Sequence, residues 1–192
     1  MKPNSIIGGG DPSARKESDL YPTPPDVTDA LIDLIGPVLP GKAVIWEPAC
    51  GEGDIVNAIE KRGYIVIGTD ILEGRDFLTG EAPVCFDWII TNPPFSSSEA
   101  FIRRAIHYKK PFAFLLKSQY WHANRRLSLF RECAPDIVAP LTWRPDFRFK
   151  EEGIHGRPLM DVMWCVWLPL IYKVGSTRFI PLERKWKGSE II

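Results

Sequence analysis

The sequence predicts an α/β protein, a three-layer sandwich around a sheet that is parallel at its centre. Three observations predict it. Short apolar runs of strand length end at polar turns marked by proline or glycine. Between residues 43 and 70 a strand, a Gly-rich turn, a helix and a second strand follow one another, which is a βαβ unit. The 192 residues suffice for one domain with a full hydrophobic core.

Taken in order, residues 1–19 are rich in Gly, Ser, Pro and charge and read as a flexible tail. Tyr21-Pro22-Thr23-Pro24-Pro25 is an extended segment. It leads into an amphipathic helix with Val27, Ala30, Leu31, Leu34 and Ile35 on its apolar face, broken at Gly36-Pro37. Ala43 to Trp46 is a buried strand, and a helix follows from about Asp54 to Arg62. The next strand, Tyr64 to Gly68, ends at Thr69-Asp70. Phe86 to Ile90 is a third strand. A helix then starts at Ser96-Ser97-Ser98-Glu99 and runs to about Tyr108. Pro111 to Leu116 is a strand ending at Lys117. A basic helix is expected over Asn124 to Cys133, and two more strands over Ile137–Leu141 and Val162–Leu168. The domain is expected over 20–180, with a C-terminal tail over 181–192. The polar loop from Trp143 to Met160 is long enough to be functional or mobile.

Composition excludes several classes. Cys50, Cys85, Cys133 and Cys165 are widely spaced and form no CxxC pair, so neither a disulfide framework nor a metal site is indicated. The longest apolar run is too short to span a bilayer and the N-terminus has no apolar signal core, which predicts a cytosolic protein without a membrane partner. Charge is unevenly placed. Residues 1–99 carry 7 basic and 16 acidic side chains, whereas residues 100–150 carry 11 basic and 3 acidic. The basic block is interleaved with aromatics, a pattern that suits nucleic acid and equally suits solvated helix faces.

The stretch with most chemistry is Thr91-Asn92-Pro93-Pro94-Phe95. Two prolines fix the turn and hold Asn92 extended at a strand end. Its carboxamide oxygen and the Pro93 carbonyl are two acceptors beside the flat face of Phe95. They suit a planar group bearing an NH2, such as adenine. The same residues also read as a strand-terminating Pro-Pro turn with an Asn cap. Upstream, Gly51-x-Gly53 lets backbone approach a ligand, but Val56 stands where a dinucleotide turn would want a third glycine. Glu47 at the strand end suits a ligand carrying positive charge, such as the sulfonium and ammonium of S-adenosylmethionine. Asp70, at the next strand end, can take two ribose hydroxyls. Asp76 is placed to accept from an adenine amine, with Phe77 flanking the ring.

Glu47-Pro48-Ala49-Cys50-Gly51-Glu52-Gly53 followed by Asn92-Pro93-Pro94-Phe95 resembles the S-adenosylmethionine-dependent amino-methyltransferases, and among them the DNA adenine-N6 methyltransferases. Tyr21-Pro22-Thr23-Pro24 also looks like that family's N-terminal cofactor segment. The resemblance implies a Rossmann-like, seven-stranded, mostly parallel sheet with an antiparallel last strand. It implies that Tyr21, Thr23, Glu47, Pro48, Ala49, Gly51, Gly53, Asp70, Asp76 and Phe77 hold S-adenosylmethionine. It implies that Asn92, Pro93, Pro94 and Phe95 act on the N6 amine of a flipped-out adenine. Larger relatives carry a separate target-recognition region, and none is evident in these residues. Arg125, Arg126, Arg144, Arg148 and Lys150 are therefore the candidates for docking nucleic acid, expected to be DNA, through its phosphates. RNA adenine and protein glutamine amides are the competing acceptors. A non-catalytic protein that binds nucleic acid and retains the fold is a further reading.

Overall fold

The computed structural model describes residues 21–147, 149–150, 160–169 and 176–185. The expected tail over 1–19, Arg148, residues 151–159 of the long polar loop, and residues 186–192 of the expected C-terminal tail lie outside them. Seven strands form one sheet: β1 (Val44–Glu47), β2 (Ile65–Gly68), β3 (Trp88–Thr91), β4 (Phe112–Lys117), β5 (Ile137–Pro140), β6 (Val162–Trp167) and β7 (Arg178–Phe179). Their order across the sheet is β2-β1-β3-β4-β6-β5-β7. The β2/β1, β1/β3 and β3/β4 pairs are parallel, as is β5/β7. Among the described residues only β6 runs against its neighbours, β4 on one side and β5 on the other.

Helices cover both faces. On one face α1 (Pro25–Ile35) and α2 (Asp54–Glu60) bury Val27, Leu31, Ile35, Ile55 and Ile59 against Ile45, Ile90, Ala113, Leu115 and Trp164. On the other, α3 (Ser98–His107) and α4 (Leu127–Glu132) bury Phe101, Ile102 and Leu129 against Trp46, Ile89, Phe114 and Cys165. Successive residues of a strand point to opposite faces, so a strand covered on both sides reads as an unbroken apolar run. β4, Phe-Ala-Phe-Leu-Leu-Lys, is such a run and is buried up to its terminal lysine.

α1 begins where sequence chemistry puts it. Pro25 at the first helical position loses no hydrogen bond, and Asp26 in the first turn complements the helix dipole. Its four fully buried aliphatics, Val27, Leu31, Ile32 and Ile35, each contribute about 1.5–3 kcal/mol of burial. The buried indole of Trp164 on β6 donates to the Val27 carbonyl at 2.9 Å, fixing where the helix starts against the sheet.

Three details differ from the sequence reading. The sequence predicts six strands individually within a seven-stranded sheet whose last strand is antiparallel; the antiparallel strand is β6, and the last in the described chain, the two-residue β7, too short to carry a period, pairs parallel with β5. The basic helix is α-helical only over Leu127–Glu132; Asn124–Arg126 is a 3-10 turn, with no side-chain cap on either segment. Within the stretch assigned to a C-terminal tail, Leu182 forms a parallel bridge with Leu141. Arg184 and Lys185 pair with Asp26 and Asp33 of α1 at 2.8 and 2.6 Å.

Candidate active site

The carboxyl ends of β1, β2 and β3 converge on one cavity of about 400 Å³. Its first wall is the turn after β1. Gly51 and Gly53 both take left-handed backbone, φ 49° and 83°, which side-chain-bearing residues rarely adopt. The turn is tied to the end of β2. Thr69 N donates to the Glu47 carbonyl at 2.9 Å, Cys50 N to the Thr69 carbonyl at 3.1 Å, and Gly51 N to Asp70 Oδ2 at 2.9 Å.

Asp70 is buried and lines the cavity. Its other oxygen, Oδ1, accepts from Leu72 N at 2.9 Å. The carboxylate thus orders both the glycine turn and the 3-10 turn Ile71–Glu73, and an ionised carboxylate still has lone pairs for a ligand. Ile71 and Leu72 are exposed and line the cavity, an apolar lip that the sequence reading missed. The signal was there: two large aliphatics directly after a strand-end aspartate. Asp76 turns inward upon its own loop. Its Oδ1 accepts from Leu78 N at 2.9 Å and its Oδ2 from Thr79 Oγ1 at 2.7 Å. Phe77 forms cavity wall, yet its ring packs into the core 4.7 Å from Phe101 and 5.1 Å from Trp46.

Glu47 lies beneath the turn rather than in the cavity wall. It is fully buried, and its Oε1 accepts from Ala49 N and Thr91 Oγ1. Its Oε2 has no partner among the described residues. Burial pushes its carboxyl up to about 8, the two hydrogen bonds opposing and nearby Asp70 adding to the rise. Glu47 thus joins the ends of β1 and β3 from below.

Asn92 stands at the end of β3. Its Nδ2 donates to the Tyr21 carbonyl at 3.2 Å and to Thr23 Oγ1 at 3.1 Å. A carbonyl can only accept, so the amide must face this way round. Asn92 Oδ1 is then buried with no partner among the described residues. The following loop is pinned by Ser97 N and Ser98 Oγ, which donate to the Pro94 carbonyl at 2.9 and 3.3 Å. Phe95 has Tyr21 on one side at 5.7 Å, tilted 38°, and Lys117 Nζ 4.2 Å from its ring centroid.

Tyr21, Thr23, Pro48, Ala49, Gly51, Asp70, Asp76, Phe77, Asn92 and Pro94 therefore line one cavity. Glu47, Gly53 and Pro93 support it from outside the lining, and Phe95 faces an adjacent cleft of about 190 Å³. Phe147, buried and edge-on to Tyr21 at 6.1 Å, closes the cavity from the loop after β5.

Four of the five cations expected to dock nucleic acid, Arg125, Arg126, Arg144 and Lys150, lie among the described residues. Lys150 pairs with Glu52 at 2.9 Å and Asp54 at 2.7 Å, bridging the glycine turn. Arg144 pairs with Asp161 at 2.7 Å on the surface. Arg126 packs its guanidinium 4.0 Å over the Tyr120 ring, and Arg125 is exposed. Among the described residues no cluster of ligands could hold a metal ion, and no helix is long and apolar enough to cross a membrane.

No protein-family model matches the chain. Solved structures do resemble it. The methyltransferase subunit of a type I restriction-modification system from Streptococcus thermophilus aligns over 86% of this chain at 16% identity and TM-score 0.58. This chain spans 48% of that subunit. A candidate class I S-adenosylmethionine-dependent methyltransferase from Listeria monocytogenes aligns over 88% of this chain and 68% of its own, at 13% identity and TM-score 0.59. A candidate RNA methyltransferase from Pyrococcus horikoshii aligns over 79% and 88%, at 14% identity and TM-score 0.52. At such identities the likeness is one of fold: this chain has the Rossmann-like fold of these proteins.

Proposed function

We propose that this chain is an S-adenosylmethionine-dependent methyltransferase acting on the exocyclic N6 amine of a flipped-out adenine in DNA. The observation that carries the reading is Asn92 Oδ1, a buried acceptor on a cavity wall with no partner among the described residues. A buried acceptor left unpaired costs about 1–3 kcal/mol, so its persistence here points to a ligand donor.

The residues fit the cofactor. Asp70 offers a carboxylate at the strand end, the Gly51 turn brings backbone without a side chain to the cavity wall, and Ile71, Leu72, Phe77 and Leu78 make an apolar slot beside Asp76. S-adenosylmethionine, when bound, supplies an electrophilic methyl group. This chain's part is to hold and aim the acceptor. An adenine amine is a weak nucleophile because its lone pair is delocalised into the ring. Asn92 Oδ1 and the Pro93 carbonyl would accept its two hydrogens, favour a more tetrahedral nitrogen and direct the lone pair. No covalent enzyme intermediate is needed, only positioning and fixed dipoles.

The test is transfer of labelled methyl from S-adenosylmethionine to duplex DNA, single-stranded DNA, RNA and a protein extract, with Asn92→Ala alongside. Label in DNA as N6-methyladenine, lost in Asn92→Ala while S-adenosylhomocysteine still raises the Tm of both proteins, is the expected result. Label in RNA would move the substrate to the class named for the Pyrococcus horikoshii neighbour, and label in protein would move it to glutamine amides. No label and no thermal shift would overturn the reading.

A further inference from the structure

A second cleft lies behind Phe95. It is lined by Phe95, Ser98, Lys117, Gln119, Tyr120 and Arg126. Two of these are cations held against aromatic faces: Lys117 Nζ lies 4.2 Å from the Phe95 centroid and Arg126 Cζ 4.0 Å from that of Tyr120. Arg126 Nη1 donates to the Tyr120 carbonyl at 2.8 Å, which fixes the guanidinium in place. Arg126 Nε and the Tyr120 hydroxyl are buried without a hydrogen-bond partner among the described residues. Both can donate. Burial pushes the Tyr120 hydroxyl up to about 12, so it keeps its proton at neutral pH. Glu99 is 4.0 Å from Arg126 Nε and is also engaged by Arg103 at 3.0 Å.

We infer that this cleft binds the phosphodiester beside the target nucleotide, with Lys117 and Arg126 as its charged contacts and the Tyr120 hydroxyl as a neutral donor. The inference rests on the proposed function. Phe95 is shared between the cleft and the Asn92 loop, so a base stacked there would carry its backbone toward these donors. A phosphate supplies the acceptors that two buried donors lack, and it draws Lys117 off the ring face a base would occupy. The occupied cleft would thereby couple backbone binding to base entry.

The test is binding of an oligodeoxyadenylate to the full chain with S-adenosylhomocysteine present, at several salt concentrations. Lys117→Gln removes one charge at a half-buried strand end and Arg126→Gln removes the other with the fixed guanidinium. Lys110→Gln, exposed at the opposite end of β4, is the control. Loss of one phosphate contact on a single strand lowers the salt slope by about 0.7, a factor of about three in affinity lost between about 50 and 200 mM salt. Lys117→Gln and Arg126→Gln should each show it, with the S-adenosylhomocysteine thermal shift intact and Lys110→Gln unchanged. Wild-type binding with unaltered slopes in both variants overturns this inference alone. A wild type that takes up S-adenosylhomocysteine but no oligonucleotide overturns the nucleic-acid substrate, and this cleft's role with it.

Discussion

Thr23 Oγ1 accepts from Asn92 Nδ2 at 3.1 Å across 69 positions of sequence. The extended entry segment thus orients the amide that the Pro-Pro turn presents. Pro22 and Pro24 keep Thr23 extended, and Thr23 is itself buried.

Thr23→Val keeps the shape and removes that acceptor. A single hydrogen bond is worth about 0.5–1.5 kcal/mol, so methyl transfer should fall about 2- to 10-fold. Thr23→Ser, which keeps the hydroxyl, should retain the rate. Steady-state kcat of the two variants checks this, and equal rates would mean that the Tyr21 carbonyl alone sets the amide.

Glu47 predicts a pH-dependent stability of definite sign. Its carboxyl sits at about 8 in the folded chain against an ordinary 4.5. The folded state therefore holds a proton that the unfolded state gives up, and stability falls as pH rises between these values. The slope approaches about 1.4 kcal/mol per pH unit. Glu47→Gln mimics the protonated form and should flatten the curve. Thermal unfolding of both proteins at about pH 5, 6.5 and 8 reads it; parallel curves would place the proton elsewhere.

Gly53 separates backbone strain from crowding. A Cβ there would meet only Asn57 Nδ2, at 3.6 Å, an ordinary contact, but φ is 83°. Gly53→Ala should therefore cost about 1–2 kcal/mol from the left-handed backbone alone. Gly53→Asn, better tolerated in that region, should cost less. Urea unfolding midpoints of the two variants test the ranking.

Much of this arrangement was legible in the sequence because it is written locally. The βαβ unit is written in one continuous stretch, and the glycine turn and the Asn-Pro-Pro corner each within a few positions. What escaped was set across the fold. β7 gains its place from β5 and not from its own two residues. Lys150 reads as a free cation until the fold sets it between Glu52 and Asp54. Phe147 was visible only as one aromatic among many in a basic block, and tertiary packing alone puts it against Tyr21.

The insertion of β6 between β4 and β5 has a consequence for synthesis. β5 leaves the ribosome with no strand to join, because its only route into the sheet's centre is a strand made later. At about 5–20 residues per second, the roughly 50 residues from the end of β4 to the end of β6 take about 3–10 s. Throughout that interval Phe-Ala-Phe-Leu-Leu presents an uncharged open edge of high β-propensity, the kind of segment that seeds intermolecular pairing. Slower, cooler expression or a holding chaperone should raise the soluble yield, and truncation before residue 162 should drive the nascent chain into aggregates.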